Sequence, residues 1–338
     1  MPEFKQKNSI APSLKTLTDQ EKIAIVKMSH ELLVGCRDYF QRNGFVDVSP
    51  QVPRITKATG SCENLDTNFS LRFFDTSAYL AQTGQLYLET LIPFFNKVCC
   101  FGPSARAEDR IDARHVCEFY LIEFEETKES TERGLFDQLL YDIQTVLQVM
   151  ISRVLSTSRK ELGILSVDTK LLKLACKPFQ RITYSDAVRL LGVPWGTDLK
   201  SSHEESIVKS VGNKPVFVTH FPKEIKFFNM RGNAADPRVV NSADLILPYS
   251  GEAVGAAERE YDYLKTKHKL LNSRMFAQLQ QKGGGVKDFE YFLNSLRQIK
   301  GSPHAGCGIG FNRLVQYVCQ LPDIRLTTWF PIYKGSIY

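Results

Sequence analysis

Gly306-Cys307-Gly308-Ile309-Gly310-Phe311-Asn312-Arg313-Leu314-Val315 is the stretch that decides the fold. Glycine alternates with apolar residues over its first half, and the second half turns helical. Side chains alternate between the two faces of a strand, so alternate glycines clear one face for a flat ligand. Arg313 then lies at the start of the helix, where backbone N–H groups also favour phosphate. The stretch therefore predicts a strand-to-helix unit beside a ligand site.

Two long helices and several strands are predicted around this unit. Apolar residues at helical spacing predict helices over 20–43 and 131–155. Helix and strand patterns interleave, strand runs join through polar loops, and no G-x-G-x-x-G follows the first strand. These features favour an antiparallel α+β fold over a Rossmann fold. The other predicted elements are strands at 45–48, 98–102, 118–125, 216–219 and 244–248, helices near 184–192, 260–280 and 287–299, a loop-rich segment at 54–90 and a less regular region at 156–215.

The composition is that of an ordinary globular protein of 338 residues. Hydrophobic residues make up 43% and charged residues 24%, which excludes a disordered chain, a fibre and a coiled coil. The formal net charge of +6 fits a small anionic ligand such as a nucleotide at least as well as nucleic acid. No C-x-x-C pair occurs among the eight cysteines, and no apolar run approaches the ~18 residues of a membrane helix. We therefore expect a soluble, cytoplasmic protein whose residues 1–18 form a leader.

A charged hairpin lies between the strand-like runs at 98–102 and 118–125. Its members are two arginines, a histidine, two glutamates and a phenylalanine. Arginine forks suit phosphate oxygens, and a nearby aromatic ring can stack on a purine. Taken alone, the segment is more typical of a solvated charged loop. The residues concerned are Arg106, Glu108, Arg114, His115, Glu118 and Phe119.

Asp244 and Glu252 flank a turn at 247–251. Two carboxylates held by such a turn can share a Mg²⁺ ion that bridges phosphates. Taken alone, the pair is more typical of surface acids, so the pattern needs support from the rest of the chain.

The order of these pieces resembles the three sequence motifs of class II aminoacyl-tRNA synthetases. The first motif is the long helix followed by Gly44–Pro50, the second runs from Arg106 to Phe119, and the third from Gly306 to Leu314. Segments 81–89, 221–226 and 244–259 resemble the asparaginyl and aspartyl branch, nearer its asparaginyl side. The resemblance implies a six- or seven-stranded antiparallel sheet flanked by helices, and a homodimer formed through the first motif.

The resemblance also implies ATP and Mg²⁺ as cofactors. Arg106 would brace the α-phosphate, Phe119 and Arg313 would enclose the adenine, and His115 and Arg313 would contact the outer phosphates. Arg106 and Arg313 are the implied catalytic pair. The implied ATP-binding residues are Arg106, Glu108, Arg114, His115, Phe119, Asp244, Glu252, Gly308, Gly310 and Arg313, with Asp244 and Glu252 as metal ligands.

Four further residues are implied in binding the amino acid. Glu63 and Gln85 would hold the α-ammonium, and Arg259 would face the side-chain carbonyl. Aspartate-binding members carry lysine at the position of Leu88, whereas asparaginyl enzymes carry Leu-Glu, as in Leu88-Glu89 here. A buried carboxylate accepts hydrogen bonds from an amide NH₂ and repels a second carboxylate. The implied substrate is therefore asparagine or a close amide analogue.

Departures from the branch pattern leave the acceptor open. Asn312 replaces a usual glutamate, Ile332 a usual arginine, and Asn229 a usual tyrosine. The catalytic pattern at 19–338 leaves no room before it for the usual OB-fold, so anticodon recognition is not expected. The leading prediction is an AMP-forming ligase that activates asparagine for transfer to a tRNA end, an amine or a protein. The alternatives are an asparagine synthetase using aspartate and ammonia, and a non-catalytic amino-acid-sensing paralogue.

Overall fold

The computed structural model describes residues 16–57, 65–128, 133–299 and 302–338. Within these residues the α-helices are α1 (Asp19–Arg42), α2 (Gln85–Leu91), α3 (Leu135–Thr157), α4 (Arg159–Ile164), α5 (Thr169–Ala175), α6 (Tyr184–Leu191), α7 (Ser201–Ser210), α8 (Tyr263–Leu271), α9 (Arg274–Gln281), α10 (Glu290–Ile299) and α11 (Phe311–Val318). The strands are β1 (Val46–Asp47), β2 (Ile55–Thr56), β3 (Ser70–Phe73), β4 (Thr76–Leu80), β5 (Lys97–Ala105), β6 (Glu118–Thr127), β7 (Gln180–Thr183), β8 (Val216–Thr219), β9 (Ser242–Leu247), β10 (Gly251–Glu258) and β11 (His304–Gly310).

A mixed sheet of eight strands forms the centre of the described chain, in the order β1-β5-β6-β11-β10-β9-β8-β7. The inner pairs are antiparallel, as predicted, and the edge pairs β1–β5 and β7–β8 are parallel. The sheet is thus wider than the six or seven strands that we expected. A separate sheet has the order β2-β4-β3.

Helices α1 and α3 cover one face of the large sheet. A capping box between Thr18 and Glu21 starts α1, because each side chain satisfies a backbone N–H of the other residue. The buried stripes of α1 and α3 pack on each other and on apolar strand residues such as Ile122, Phe124 and Ile309. Burial of an aliphatic or aromatic side chain contributes about 1.5–3 kcal/mol, so this layer holds the sheet firmly. The opposite face is left for the site.

Two smaller apolar clusters complete the flanks of the sheet. One joins α8, α9 and α10 to Phe227 and Phe228, in the loop that follows β8. The other packs α6 and α7 on β7, β8 and Ile246 of β9. These clusters fix the loop that carries Lys226 and the helix α7 that carries Glu204 beside the open face of the sheet.

The sequence patterns located the long elements well and the short ones poorly. Segment 54–90, expected to be rich in loops, contains β2, β3, β4 and α2 in its described part, and residues 58–64 lie outside that part. Region 156–215, expected to be less regular, contains α4 to α7 and β7. The helix expected at 260–280 is divided into α8 and α9. Within the described ranges no helix is both long and apolar enough to cross a membrane.

Candidate active site

Glutamates and glycines alternate in register on the open face of the sheet. In the β6–β11 pairing, Glu125 lies opposite Gly306 and Glu123 lies opposite Gly308. A Cβ at residue 306 would overlap the carboxyl group of Glu125 and the carbonyl of Phe124, so only glycine fits there. At residue 308 the nearest atom to such a Cβ is Glu123 Cγ at 3.8 Å. Gly308 therefore leaves free space on the sheet, as predicted from the alternation.

A compact charged group, which we call the buried end of the site, occupies this face. Its members come from α2, β6, β11 and two loops: Gln85, Glu89, Glu125, Asn229, Arg259 and His304. The Arg259 side chain is 2% exposed and that of Glu89 0%. Arg259 donates from Nη2 to Glu125 Oε1 at 2.7 Å and lies with Nε 3.8 Å from Glu89 Oε1. One guanidinium thus balances two buried carboxylates.

Glu89 is surrounded by donors. Gln85 Nε2 donates to its Oε1 at 3.0 Å, and Asn229 Nδ2 donates to the same atom at 2.6 Å. His304 Nε2 lies 3.5 Å from Oε2. Burial alone would raise the pKa of Glu89, but His304 and Arg259 hold that pKa below its usual value. A fully buried carboxylate therefore stays ionised at the bottom of the site.

The other two titratable groups of the buried end respond to the same charges. Burial raises the pKa of Glu125 to about 7, although the nearby Arg259 guanidinium opposes the shift. Burial would lower the pKa of His304, but the charge of the neighbouring Glu89 carboxylate raises it. His304 also pairs through Nδ1 with the carbonyl of Ser302 at 2.9 Å. This carbonyl accepts only from an N–H, so Nδ1 carries a proton.

The motif arginines and acids form a second group, which we call the open end of the site. It comprises Arg106, Glu108, Arg114, Phe119, Glu204, Lys226, Asp244, Glu252 and Arg313. Arg106 follows β5, with its guanidinium 3.7 Å from Glu108 Oε1 and 6.0 Å from the ring centre of Phe119 on β6. Its Nε is buried without a hydrogen-bond partner. The arginine, the acid and the aromatic ring that the sequence singled out therefore lie together.

Arg114 is held by acids that the sequence did not indicate. It contacts Glu204 Oε2 at 2.8 Å and Glu205 Oε1 at 3.1 Å, both on α7. Glu204 also accepts from the backbone N–H of Glu252 at 3.2 Å. Arg313, at the start of α11, donates to the backbone carbonyls of Glu252 and, at 3.4 Å, Arg114. Arg313 thus ties β10 to the charged hairpin.

Asp244 and Glu252 do lie together, on neighbouring strands β9 and β10. Both line a cavity of about 100 Å³ with Asp198, Glu204 and Lys226. Lys226 Nζ donates to both oxygens of Asp244 at 2.7 Å. Burial raises the pKa of Asp244 to about 7, against the lowering effect of Lys226 and in line with the nearby charge of Glu252.

The donor chemistry of this cavity suits Mg²⁺. Within the described ranges no set of three or more His, Cys, Asp or Glu side chains is arranged to hold a metal. Mg²⁺ is commonly bound by one or two carboxylates together with substrate phosphates and water. The pair Asp244 and Glu252 therefore fits an ion that arrives with a phosphate ligand rather than a permanent metal centre.

Some predicted residues lie elsewhere or do other work. His115 does not contact the two arginines through a hydrogen bond; its Nδ1 pairs with Asp112 at 2.7 Å. Leu88 faces away from Glu89 into an apolar cluster with Val48 and Val98. Glu63 lies outside the described residues.

Two departures from the family pattern have structural roles. Asn312 accepts from the backbone N–H of Tyr120 at 2.8 Å and donates to Thr327 Oγ1 at 3.0 Å, so it tethers α11 to β6. Ile332 contributes its backbone carbonyl, which accepts from Cys117 at 2.7 Å. Neither contact places a charge in the site.

Five site residues were missed as site members: Glu125, Glu204, Lys226, Asn229 and His304. A signal existed for Glu125, because glutamates two apart in an apolar strand match glycines two apart in the partner strand. No local pattern marks the others. Asn229 and Glu89 are 140 positions apart, and Arg114 and Glu204 are 90 apart, so only the fold brings them together.

Known proteins share both the sequence and the fold. Residues 8–334 match the family of class II tRNA synthetases (D, K and N). An asparagine–tRNA ligase of Pyrococcus furiosus is 35% identical over 321 residues, covering 93% of this chain and 69% of the relative. The crystal structure of asparaginyl-tRNA synthetase from Pyrococcus horikoshii complexed with asparaginyl-adenylate matches with a TM-score of 0.83 and 33% identity, over 94% of this chain and 70% of that one.

A more distant solved structure gives the same result. The asparaginyl-tRNA synthetase of Entamoeba histolytica in complex with asparaginyl-adenylate matches with a TM-score of 0.75 and 26% identity, over 94% of this chain and 68% of that one. Family match, identity and fold agree over nearly the whole chain, and the motif residues meet on one face of the sheet. The chain belongs to the class II aminoacyl-tRNA synthetases of the aspartate, lysine and asparagine group, and is a ligase.

Proposed function

We propose that this protein activates asparagine with ATP, forming asparaginyl-adenylate and pyrophosphate, and transfers the asparaginyl group to the end of a tRNA. The observation that carries the proposal is the ionised, fully buried carboxylate of Glu89 beside the Arg259 guanidinium. The names of the relatives support the same substrate.

The buried end complements a carboxamide better than a carboxylate. Glu89 accepts hydrogen bonds from the amide NH₂, and Arg259 donates to the amide oxygen. Aspartate would bring a second carboxylate against Glu89 with no N–H to donate. An unpaired buried polar group costs about 1–3 kcal/mol, which corresponds to a preference for asparagine of roughly 5- to 150-fold.

The open end supplies the charge that adenylation needs. The α-carboxylate of asparagine attacks the α-phosphorus of ATP, a C–O–P bond forms, and the bond to the bridging oxygen of pyrophosphate breaks. Arg106 neutralises the α-phosphate, and Arg313 and His115 contact the outer phosphates. Phe119 and Arg313 enclose the adenine. The protein contributes positioning and electrostatic stabilisation, with no covalent protein intermediate.

Asp244 and Glu252 hold Mg²⁺ in this proposal. The ion supplies neutralisation of phosphate charge when it is bound. Before that, the ammonium of Lys226 occupies both oxygens of Asp244. Lys226 would therefore have to release Asp244 before the carboxylate could hold the ion, and its ammonium would then be available to the phosphates.

A homodimer formed through the first motif is part of the proposal. Ile23 and Val26 on α1 are 47% and 50% exposed, and Val46 on the edge strand β1 is 42% exposed. These apolar side chains lie on the helix and strand that the first motif comprises. Light scattering at micromolar concentration tests the dimer, and a monomeric mass would contradict it.

ATP–pyrophosphate exchange over asparagine, aspartate and side-chain analogues tests the activity. We expect exchange with asparagine and at least about 5-fold less with aspartate. Glu89→Gln should reduce this preference, because it removes the charge that repels aspartate. Exchange with aspartate above asparagine, with asparagine formed from ammonia, would instead establish an asparagine synthetase.

Two further measurements settle the remaining alternatives. Transfer of labelled asparagine to total tRNA tests the acceptor, and a small amine or a protein lysine labelled in its place would contradict a tRNA end. Absence of exchange with every amino acid, together with measurable amino-acid binding, would establish a sensing paralogue.

A further inference from the structure

Asn229 makes the closest contact with Glu89 in the buried end. Its side chain is completely buried, and its Nδ2 donates to Glu89 Oε1 at 2.6 Å. The orientation of the amide follows from charge, because a carboxylate accepts and only the NH₂ side of an asparagine donates. Asn229 Oδ1 therefore points away from Glu89 Oε1.

Asn229 Oδ1 is buried and has no hydrogen-bond partner. Glu89 Oε2 is also buried without a hydrogen-bond partner. It lies 3.5 Å from His304 Nε2, an ion-pair distance at which neither atom makes a hydrogen bond. A buried acceptor without a donor costs about 1–3 kcal/mol, so native proteins rarely leave two of them side by side.

The two unpartnered acceptors belong to side chains that are joined by a hydrogen bond, which places both in the same part of the buried end. A primary carboxamide has two N–H donors on a single nitrogen. A carboxylate has none, and an ammonium would bring a positive charge beside Arg259. Two adjacent acceptors next to a fixed cation therefore select a neutral NH₂ group.

We infer that Asn229 is a specificity-determining residue, whose Oδ1 accepts one N–H of the substrate carboxamide while Glu89 Oε2 accepts the other. The inference rests on the proposed activation of asparagine and deepens it: the site recognises a primary amide by both of its hydrogens. The backbone of Asn229 is fixed for this role, since its carbonyl accepts from Glu260 at 2.7 Å next to Arg259.

Asparagine and Nγ-methyl-asparagine separate this role from a structural one, because the second compound retains a single N–H. The readout is kcat/KM in ATP–pyrophosphate exchange for both compounds. We expect the wild-type protein to prefer asparagine by at least about 10-fold. Asn229→Leu keeps the branching of the side chain, although leucine is bulkier, and removes the acceptor. It should lower kcat/KM for asparagine about 10-fold, bring the preference close to 1, and leave the KM for ATP unchanged.

Asn241→Leu is the matched control. Asn241 Nδ2 also donates to a glutamate, Glu258 Oε2 at 2.7 Å, but its Oδ1 already accepts from Asn233 at 2.7 Å. This variant should keep the wild-type preference. If Asn229→Leu does not give a cooperative melting transition, Asn229→Ala provides the same comparison.

The failures are distinguishable. Absence of wild-type exchange with asparagine refutes the proposed function itself. The role of Asn229 alone is refuted if the wild-type protein shows exchange but Asn229→Leu keeps the wild-type preference for asparagine. It is also refuted if Asn229→Leu lowers kcat/KM equally for both compounds.

Discussion

The buried end and the open end of the site neutralise their charged side chains in different ways. At the buried end Arg259 is enclosed with Glu89 and Glu125, and no solvent reaches the group. At the open end two cations rest on acids, Arg114 on Glu204 and Lys226 on Asp244. Under the proposed function, the amino-acid pocket would be formed before the substrate arrives, whereas binding of MgATP would require an exchange of ion pairs.

The largest difference between the two ends should appear in the free energy of unfolding that is lost when the arginine of each end is replaced. Arg259→Met leaves Glu89 and Glu125 buried without their cation, and loss of one partner of a buried ion pair costs about 3–5 kcal/mol. Arg114→Met should cost less, because Glu205 is 56% exposed and the backbone N–H of Glu252 still donates to Glu204. Urea denaturation measures both free energies of unfolding. Equal losses would remove the distinction between the ends.

Replacement of Arg313 should lower activity while the stability of the protein stays nearly the same. We expect Arg313→Ala to lower pyrophosphate exchange about 100- to 1,000-fold, since the proposed function assigns its guanidinium to the ATP phosphates. The melting temperature should change little, because the hydrogen bonds of this side chain to the described residues go to two backbone carbonyls and to no charged group. Arg181→Ala, which breaks an exposed pair with Asp137, is the control and should keep full exchange. Near-normal exchange by Arg313→Ala would overturn its assignment to the phosphates.

Glu126 shows how burial affects the pKa of a carboxylate that has no arginine to balance its charge. It lies on the helix-covered face of β6, and burial, with the charge of Asp142, raises its pKa to about 9. Its pKa in the unfolded chain is near the ordinary value, so the folded state binds more protons between these values. Stability is therefore full at low pH and is lost as the pH rises toward 9.

Glu126→Gln removes this loss. Its melting temperature relative to wild type should rise by several °C between pH 5 and pH 8, as measured by calorimetry. Glu125→Gln should show a smaller rise that is complete near pH 7, because burial raises the pKa of Glu125 only to about 7. A pH-independent difference for Glu126→Gln would mean that the residue is ionised in the folded protein.

The smallest effect is expected at Glu204. If the ion pair with Arg114 competes with phosphate, Glu204→Gln should lower the KM for MgATP about 3-fold, in keeping with the modest strength of such pairs. Steady-state exchange at saturating asparagine measures it. Glu205→Gln, at the exposed partner, should change the KM less. A higher KM for Glu204→Gln would assign Glu204 to MgATP binding instead.

Sequence reasoning succeeded where a pattern of neighbouring residues marks an element or a site. The glycine alternation predicted β11 and α11. It failed where a residue acts through distant contacts. His304 at the start of β11 and Glu204 on α7 have no local signature, because partners far along the chain define their roles. Strands β2 to β4 were missed, since their two to five residues carry too little periodicity.

Gly306 and Gly308 differ in what a larger side chain would meet. At 306 the protein itself fills the space, so a larger residue would harm folding in any descendant, active or not. At 308 nothing in the protein requires glycine, and alanine there would make only ordinary contacts. Alanine at residue 306 should therefore disturb folding, whereas alanine at residue 308 should leave the fold intact and affect only a molecule that lies against this face of the sheet.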